Sequence, residues 1–156
     1  MTMSPDAYKA MTILQSYRHL LARNEEIRER KARLLARAAG TSYIAGGGGF
    51  YGFNSSKPER AAVQLPELEQ QLEDMEHRTF EERHMIQAAI DRMDCEIYKR
   101  LLELRYIDGK LWTPINQKLH ISRSCSQRYH IAALESFYCC YRAQKLGHSG
   151  TFDTVK

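Results

Sequence analysis

Apolar side chains return at helical intervals along most of this chain, and two changes of texture divide them into three blocks. In the first, residues 1–39, Ser4 offers an N-cap, Pro5 a first helical position and Asp6 an acidic first turn. Nothing breaks that helix before Gly40. Ile13, Tyr17, Leu20, Asn24, Ile27, Lys31 and Leu34 alternate spacings of four and three, which is a heptad seam. Asn24 and Lys31 are polar interruptions of the kind that set register or partner number at some cost in stability. Pro66-Glu67 opens the second block, residues 66–99. Leu68, Leu72, Met75 and Thr79 begin its seam, and Ile86, Ile90, Met93 and Ile97 continue it after a slip near Glu82-Arg83. This helix can run unbroken into Leu101–Ile107. Neither amphipathic helix can bury its seam alone, so each pairs with the other or with a second copy of the chain.

Residues 40–65 between them have a different composition: four consecutive glycines, Gly46 to Gly49, then aromatics and a Ser-Ser-Lys-Pro stretch. A phosphate cradle would need a lysine and a hydroxyl directly after the glycines, at the opening of a helix. Phe50-Tyr51-Gly52 follows instead, so the segment reads as a flexible linker. Tyr43, Ile44, Phe50, Tyr51 and Phe53 are unusually apolar for one, and a segment that orders on a partner is the alternative.

The third block, residues 100–146, has the finest punctuation. Leu101, Leu102 and Leu104 share a face of a helix that stops at Asp108-Gly109, where glycine accepts a left-handed cap. Thr113 offers the next N-cap and Pro114 the first helical position. Ile115 and Leu119 make the inner face of a short helix, His120 takes the turn, Ile121 plugs the core and Ser122 caps a third helix. Tyr129, Ala133 and Phe137 form the buried stripe of that helix, which ends near Gly147 before the polar tail 147–156. A short helix, a tight turn and a longer helix make a helix-turn-helix. The other side of the third helix presents Arg123, Ser124, Gln127 and Arg128 in its first two turns. Arginine can bridge the two acceptors of guanine and glutamine pairs with adenine, so these types suit a reading helix. Lys118, Ser122 and His130 complete the candidate DNA-binding set.

Charge agrees with that placement. Net charge is +4 overall, but residues 66–99 hold four basic and ten acidic groups, whereas Arg100 to His130 hold six basic and two. The equal-length spans 5–38 and 66–99, oppositely charged, suggest a long antiparallel, coiled-coil-like hairpin ahead of the basic unit. The expected fold is all-α. The expected seam residues are Ile13, Tyr17, Leu20, Asn24, Ile27 and Leu34 against Leu72, Met75, Ile86, Ile90, Met93 and Ile97.

The terminal unit resembles region four of bacterial primary sigma factors, and more closely the phage RinA/ArpU-type late transcription regulators. The match rests on Leu104-Arg105-Tyr106, Gly109, Trp112, Ile115, Leu119, Ser122-Arg123, Arg128, His130 and Ala133-Leu134. The order of helix, loop, helix and sigma-like unit extends the resemblance over nearly the whole chain. Thr113-Pro114 stands where that family usually has acidic residues, Asn116 where it has alanine, and Ser126 where it has a β-branched apolar residue. The resemblance implies sequence-specific binding of double-stranded DNA and activation of late packaging and morphogenesis genes, with host RNA polymerase as a partner.

Other classes fit less well. No run approaches eighteen apolar residues, and the N-terminus lacks a basic segment followed by an apolar one, so a cytoplasmic protein without a membrane span is expected. Cys95, Cys125, Cys139 and Cys140 are too irregular for a disulfide framework, and no spaced Cys/His pairs call for zinc. The histidines are scattered and no paired carboxylates sit in an apolar setting, so neither an enzyme nor a cofactor is expected. The alternative function is a small terminase subunit, in which a helix-turn-helix joined to oligomerisation helices packages a genome. Size in solution separates the two, since a packaging protein forms a large ring.

Overall fold

The structure, a computed structural model, describes residues 2–39 and 56–148, the side chains of 56–61 and 148 excepted. The expected flexible stretch of residues 40–55 and the tail from 149 onward lie outside them. The elements are α1 (Pro5–Ala38), α2 (Ser56–Asp91), α3 (Glu96–Leu102), which continues into a π-helical turn (Glu103–Ile107), α4 (Trp112–Leu119) and α5 (Arg123–His148). The described residues are thus all-α, with no strand. None of their helices is long and apolar enough to cross a membrane.

The chain forms two compact units, Met1–His19 with Phe80–Lys156, and Leu20–Thr79. In the first, Ser4 starts α1 as its sequence suggests. Its hydroxyl accepts from the Ala7 amide (3.2 Å) and donates to the Glu135 carboxylate of α5 (2.6 Å). The buried stripe of α1 here is Ala7, Ala10, Leu14 and Tyr17, while the expected Ile13 is only half-buried. Ala7, Ala10, Leu14 and Tyr17 repeat at three, four and three, a second heptad stripe that shares Tyr17 with the expected one, and packing against the other helices selects it. These four pack with Ile86, Ala89, Ile90 and Met93, with Leu101, Leu102, Leu104, Tyr106 and Ile115, and with Ala133, Leu134, Phe137 and Tyr141. The first nineteen residues therefore help build the core under α3–α5.

The second block departs from the sequence reading at both ends. Residues 56–65, assigned to the linker, are helical, and α2 carries Pro66 in its interior instead of beginning there. Downstream, the helix expected to reach residue 99 stops at Asp91. Met93 closes a tight turn, its amide donating to the Ile90 carbonyl (3.0 Å), and its side chain is 2% exposed. That turn resets the helical phase. Ile97, in line with Ile86, Ile90 and Met93 on a continuous helix, is 44% exposed, and Leu101 and Leu102 enter the core in its place. Core packing, with no glycine or proline to announce it, decides this break.

The π-helical turn is wider than an α turn, and it brings Leu104 and Tyr106, only two residues apart, both into the core. Gly109 then takes φ +69°, as a left-handed stop requires. The Arg18 guanidinium covers this loop, donating to the Arg105 carbonyl (3.2 Å) and lying where a Gly109 side chain would begin.

In the second unit, Asn24, Ile27 and Leu68 are buried, and Leu20, Leu34, Leu72 and Met75 are half-buried. Asn24 Nδ2 donates to Thr79 Oγ1 (2.9 Å), Arg28 Nε to Glu76 (3.1 Å), and Lys31 lies 3.0 Å from Glu69. Asn24 and Lys31, the two polar residues in the α1 seam, thus both find polar partners on α2.

Candidate nucleic-acid interface

Local chemistry builds α4 and α5 as a matched pair. The cap of α4 is not Thr113: Leu111 occupies that position without a side-chain bond, and Trp112 is the first helical residue. Pro114 consequently sits third. Its missing N–H still costs nothing, because the first amide with a carbonyl to reach is that of Ile115, which donates to Leu111 (3.3 Å). At the other end His120 adopts φ 52°, ψ 42°. The His120 amide donates to Gln117 O and the Ile121 amide to Asn116 O, the pairing that closes a helix with a left-handed residue and an apolar plug. Ser122 then caps α5 through its hydroxyl, which accepts from the Cys125 amide (3.2 Å), and its carbonyl, which accepts from Ser126 N (2.9 Å). Gly147 does not stop α5, which runs through His148; with an open environment and no positive φ, nothing there forces an end.

Along α5, Ser126, Ala133, Leu134 and Phe137 are buried, whereas Ser122 at the cap and Arg123, Ser124, Gln127 and Arg128 in the first two turns are exposed. Lys118 is exposed on α4. Ser126, polar where an apolar anchor was expected, is 2% exposed and satisfies itself by donating its hydroxyl to the Arg123 carbonyl (2.8 Å). Arg128 extends a guanidinium nitrogen to 3.5 Å from Cys125 Sγ. Hydrogen bonds from Ser122 and then Arg128 hold that thiol below its ordinary range.

His130 does not join the outward set. Its Nε2 shares a 2.9 Å hydrogen bond with the Tyr106 hydroxyl, its ring stacks on Tyr106 and it meets Trp112 edge-on at 4.9 Å. Burial, helped by the nearby Arg105 cation, lowers its pKa to about 4, so the ring is neutral near pH 7. Burial likewise raises Tyr106 to about 12. Arg105 is also withdrawn from the outward face. It lies over the Trp112 ring (5.0 Å) and donates to the Lys110 carbonyl (3.0 Å). On α5 its i+3 and i+4 neighbours are the buried Ala133 and Leu134, so the helix period by itself carries His130 to the inner stripe, where Tyr106 and Trp112 meet it.

A groove of about 610 Å³ runs beside this face, lined by Thr113, Asn116 and Gln117 of α4, its C-cap His120, Ile121 and Arg123. The α4 residues were missed in the sequence, although they repeat at i, i+3, i+4 and i+7 opposite Ile115 and Leu119. Asn116 Oδ1 is buried there with no partner. Of the carboxylates in this unit, Glu103 is engaged by Arg100 (3.0 Å) and Gln87 (3.3 Å), and Glu135 by Ser4. Among the described residues no three His, Cys, Asp or Glu side chains are placed to hold a metal ion. Comparison with protein families, with curated proteins and with solved structures finds no match to this chain.

Proposed function

We propose that this chain is a sequence-specific DNA-binding transcription regulator of the phage RinA/ArpU type, with α4 and α5 as a sigma region 4-like helix-turn-helix. One observation carries the reading. The capped end of α5 exposes Arg123, Ser124, Gln127 and Arg128 together, while Ser126 and, farther along, Ala133, Leu134 and Phe137 are buried. Such a helix end can enter a major groove and offer guanidinium and amide groups to base edges, with Lys118 and Ser122 toward phosphates. Trp112, Tyr106 and His130 hold it from behind. In this reading α1 and α2 form an antiparallel hairpin in the second unit, because partners of Asn24, Arg28 and Lys31 fall in descending order at Thr79, Glu76 and Glu69. The regulator acts on late packaging and morphogenesis promoters of a phage in its bacterial host, where the other partner is host RNA polymerase.

Footprinting on the neighbouring genomic DNA, with and without polymerase, tests this. Arg123→Ala and Arg128→Ala are each expected to weaken a footprinted site. A base-reading arginine loses about 1–3 kcal/mol and relaxes one base pair. A phosphate-only arginine weakens all sequences alike and flattens the salt dependence. If both variants bind as tightly as the parent, α5 is not the reading helix.

A further inference from the structure

Beside the outward face of α5, and sharing Gln127 with it, lies a cavity of about 470 Å³ between the N-terminal part of the chain and α5. Its volume falls in the range of small-molecule sites, roughly 300–1,000 Å³. Met3 just ahead of α1, Met11 of α1 and Ile131 of α5 form apolar walls, and Trp112 an aromatic one. Soft thioethers beside aromatic rings suit a flat, polarisable ligand. Gln15 and Gln127 bring amide groups to the rim, and both are exposed. Among the described residues of the lining, Arg105 is the one ionised side chain and none is a carboxylate. The Arg105 guanidinium stays in place because it is stacked on Trp112 and tied to the Lys110 carbonyl. A fixed cation whose described neighbours in a partly apolar cleft include no carboxylate favours an anion and disfavours a cation.

We propose that this cavity is a binding site for a small planar aromatic anion, held flat among Met3, Met11 and Trp112 with its charge toward Arg105. Arg105 confers the preference for negative charge, and Gln15 and Gln127 bond to polar edges of the ring. The site shares Gln127 with the proposed reading face of α5, but ligand binding is measured without DNA, so it can fail or stand separately from the regulator reading.

The chain is suited to a direct test, having one tryptophan and six methionines. The full-length protein is labelled at the methionine methyl carbons and titrated with 1-naphthoate, then with 1-naphthylmethylammonium as its cationic counterpart. Saturable shifts of Met3, Met11 and the Trp112 indole N–H with naphthoate, and little response to the ammonium, are expected. Gln15→Glu, at an exposed position that leaves the core untouched, places a carboxylate in the lining and should weaken naphthoate binding about fivefold. The proposal fails if naphthoate moves none of these signals, or if both probes bind alike. It fails equally if the shifts spread to Met75, Met85 and Met93, or if Gln15→Glu binds naphthoate as the parent does.

Discussion

Burial beside the Arg105 guanidinium keeps the His130 ring neutral down to about pH 4, whereas an unfolded chain takes up that proton near pH 6.5. Above pH 6.5 both states hold a neutral ring, and the contribution to stability is complete. As pH falls from 6.5 to 4 the unfolded chain binds a proton that the fold refuses, so stability declines. The whole difference is worth about 3 kcal/mol. Urea unfolding of the parent should therefore weaken through this window. His130→Gln keeps a bonding partner for Tyr106 but cannot titrate, and the gap between it and the parent should narrow toward pH 4. A gap independent of pH would mean that His130 is not held neutral. Ser126 teaches a related lesson about polar groups in the core. A hydroxyl in an apolar stripe looks like a packing fault, yet it is harmless where the helix's own backbone accepts its proton.

Helix ends were legible wherever a residue type does one job. Ser4 and Ser122 cap, and Gly109 turns left-handed, as their chemistry demands. Boundaries set by competition were not. Thr113-Pro114 looked like a cap and first position, but Pro114 is equally tolerated at the third residue, and packing of Trp112 and Ile115 chose that register. Pro66 looked like a helix start and is an interior residue of α2. A proline there removes one backbone hydrogen bond and crowds the carbonyl four residues back, at about 3 kcal/mol in an isolated helix. Pro66→Ala should accordingly gain about 1–3 kcal/mol and raise helical content by circular dichroism. A variant no more stable than the parent would mean that residues before Pro66 are not held in one helix with those after it. The break at Asp91 had no sequence signal at all, since burial of Met93 and of Leu101-Leu102 is what ends α2.

Across the whole chain, α1 takes part in two different environments. Up to His19 it is a wall of the unit that holds α3–α5, and from Leu20 it belongs to the unit it builds with α2. Asn24 is the polar feature of the second unit, 5% exposed, with its Nδ2 satisfied by Thr79 and its Oδ1 buried without a partner. An orphaned buried acceptor costs about 1–3 kcal/mol, so Asn24→Leu should raise the thermal midpoint. Because a polar seam residue restricts which partners can pair, light scattering should find the variant in a mixture of assembly states. An assembly state identical to the parent's would remove Asn24 from any specifying role, and a large ring for the parent would favour the packaging alternative. Period, capping chemistry and charge were enough to determine an all-α chain, the left-handed stop at Gly109 and the polar side of α5, because each depends on residues within a few positions of one another. The phase of α1 against the core, the turn at Met93 and the cavity under Arg105 were decided only by the tertiary structure. Each depends on which distant surfaces meet, and a local pattern does not contain that information.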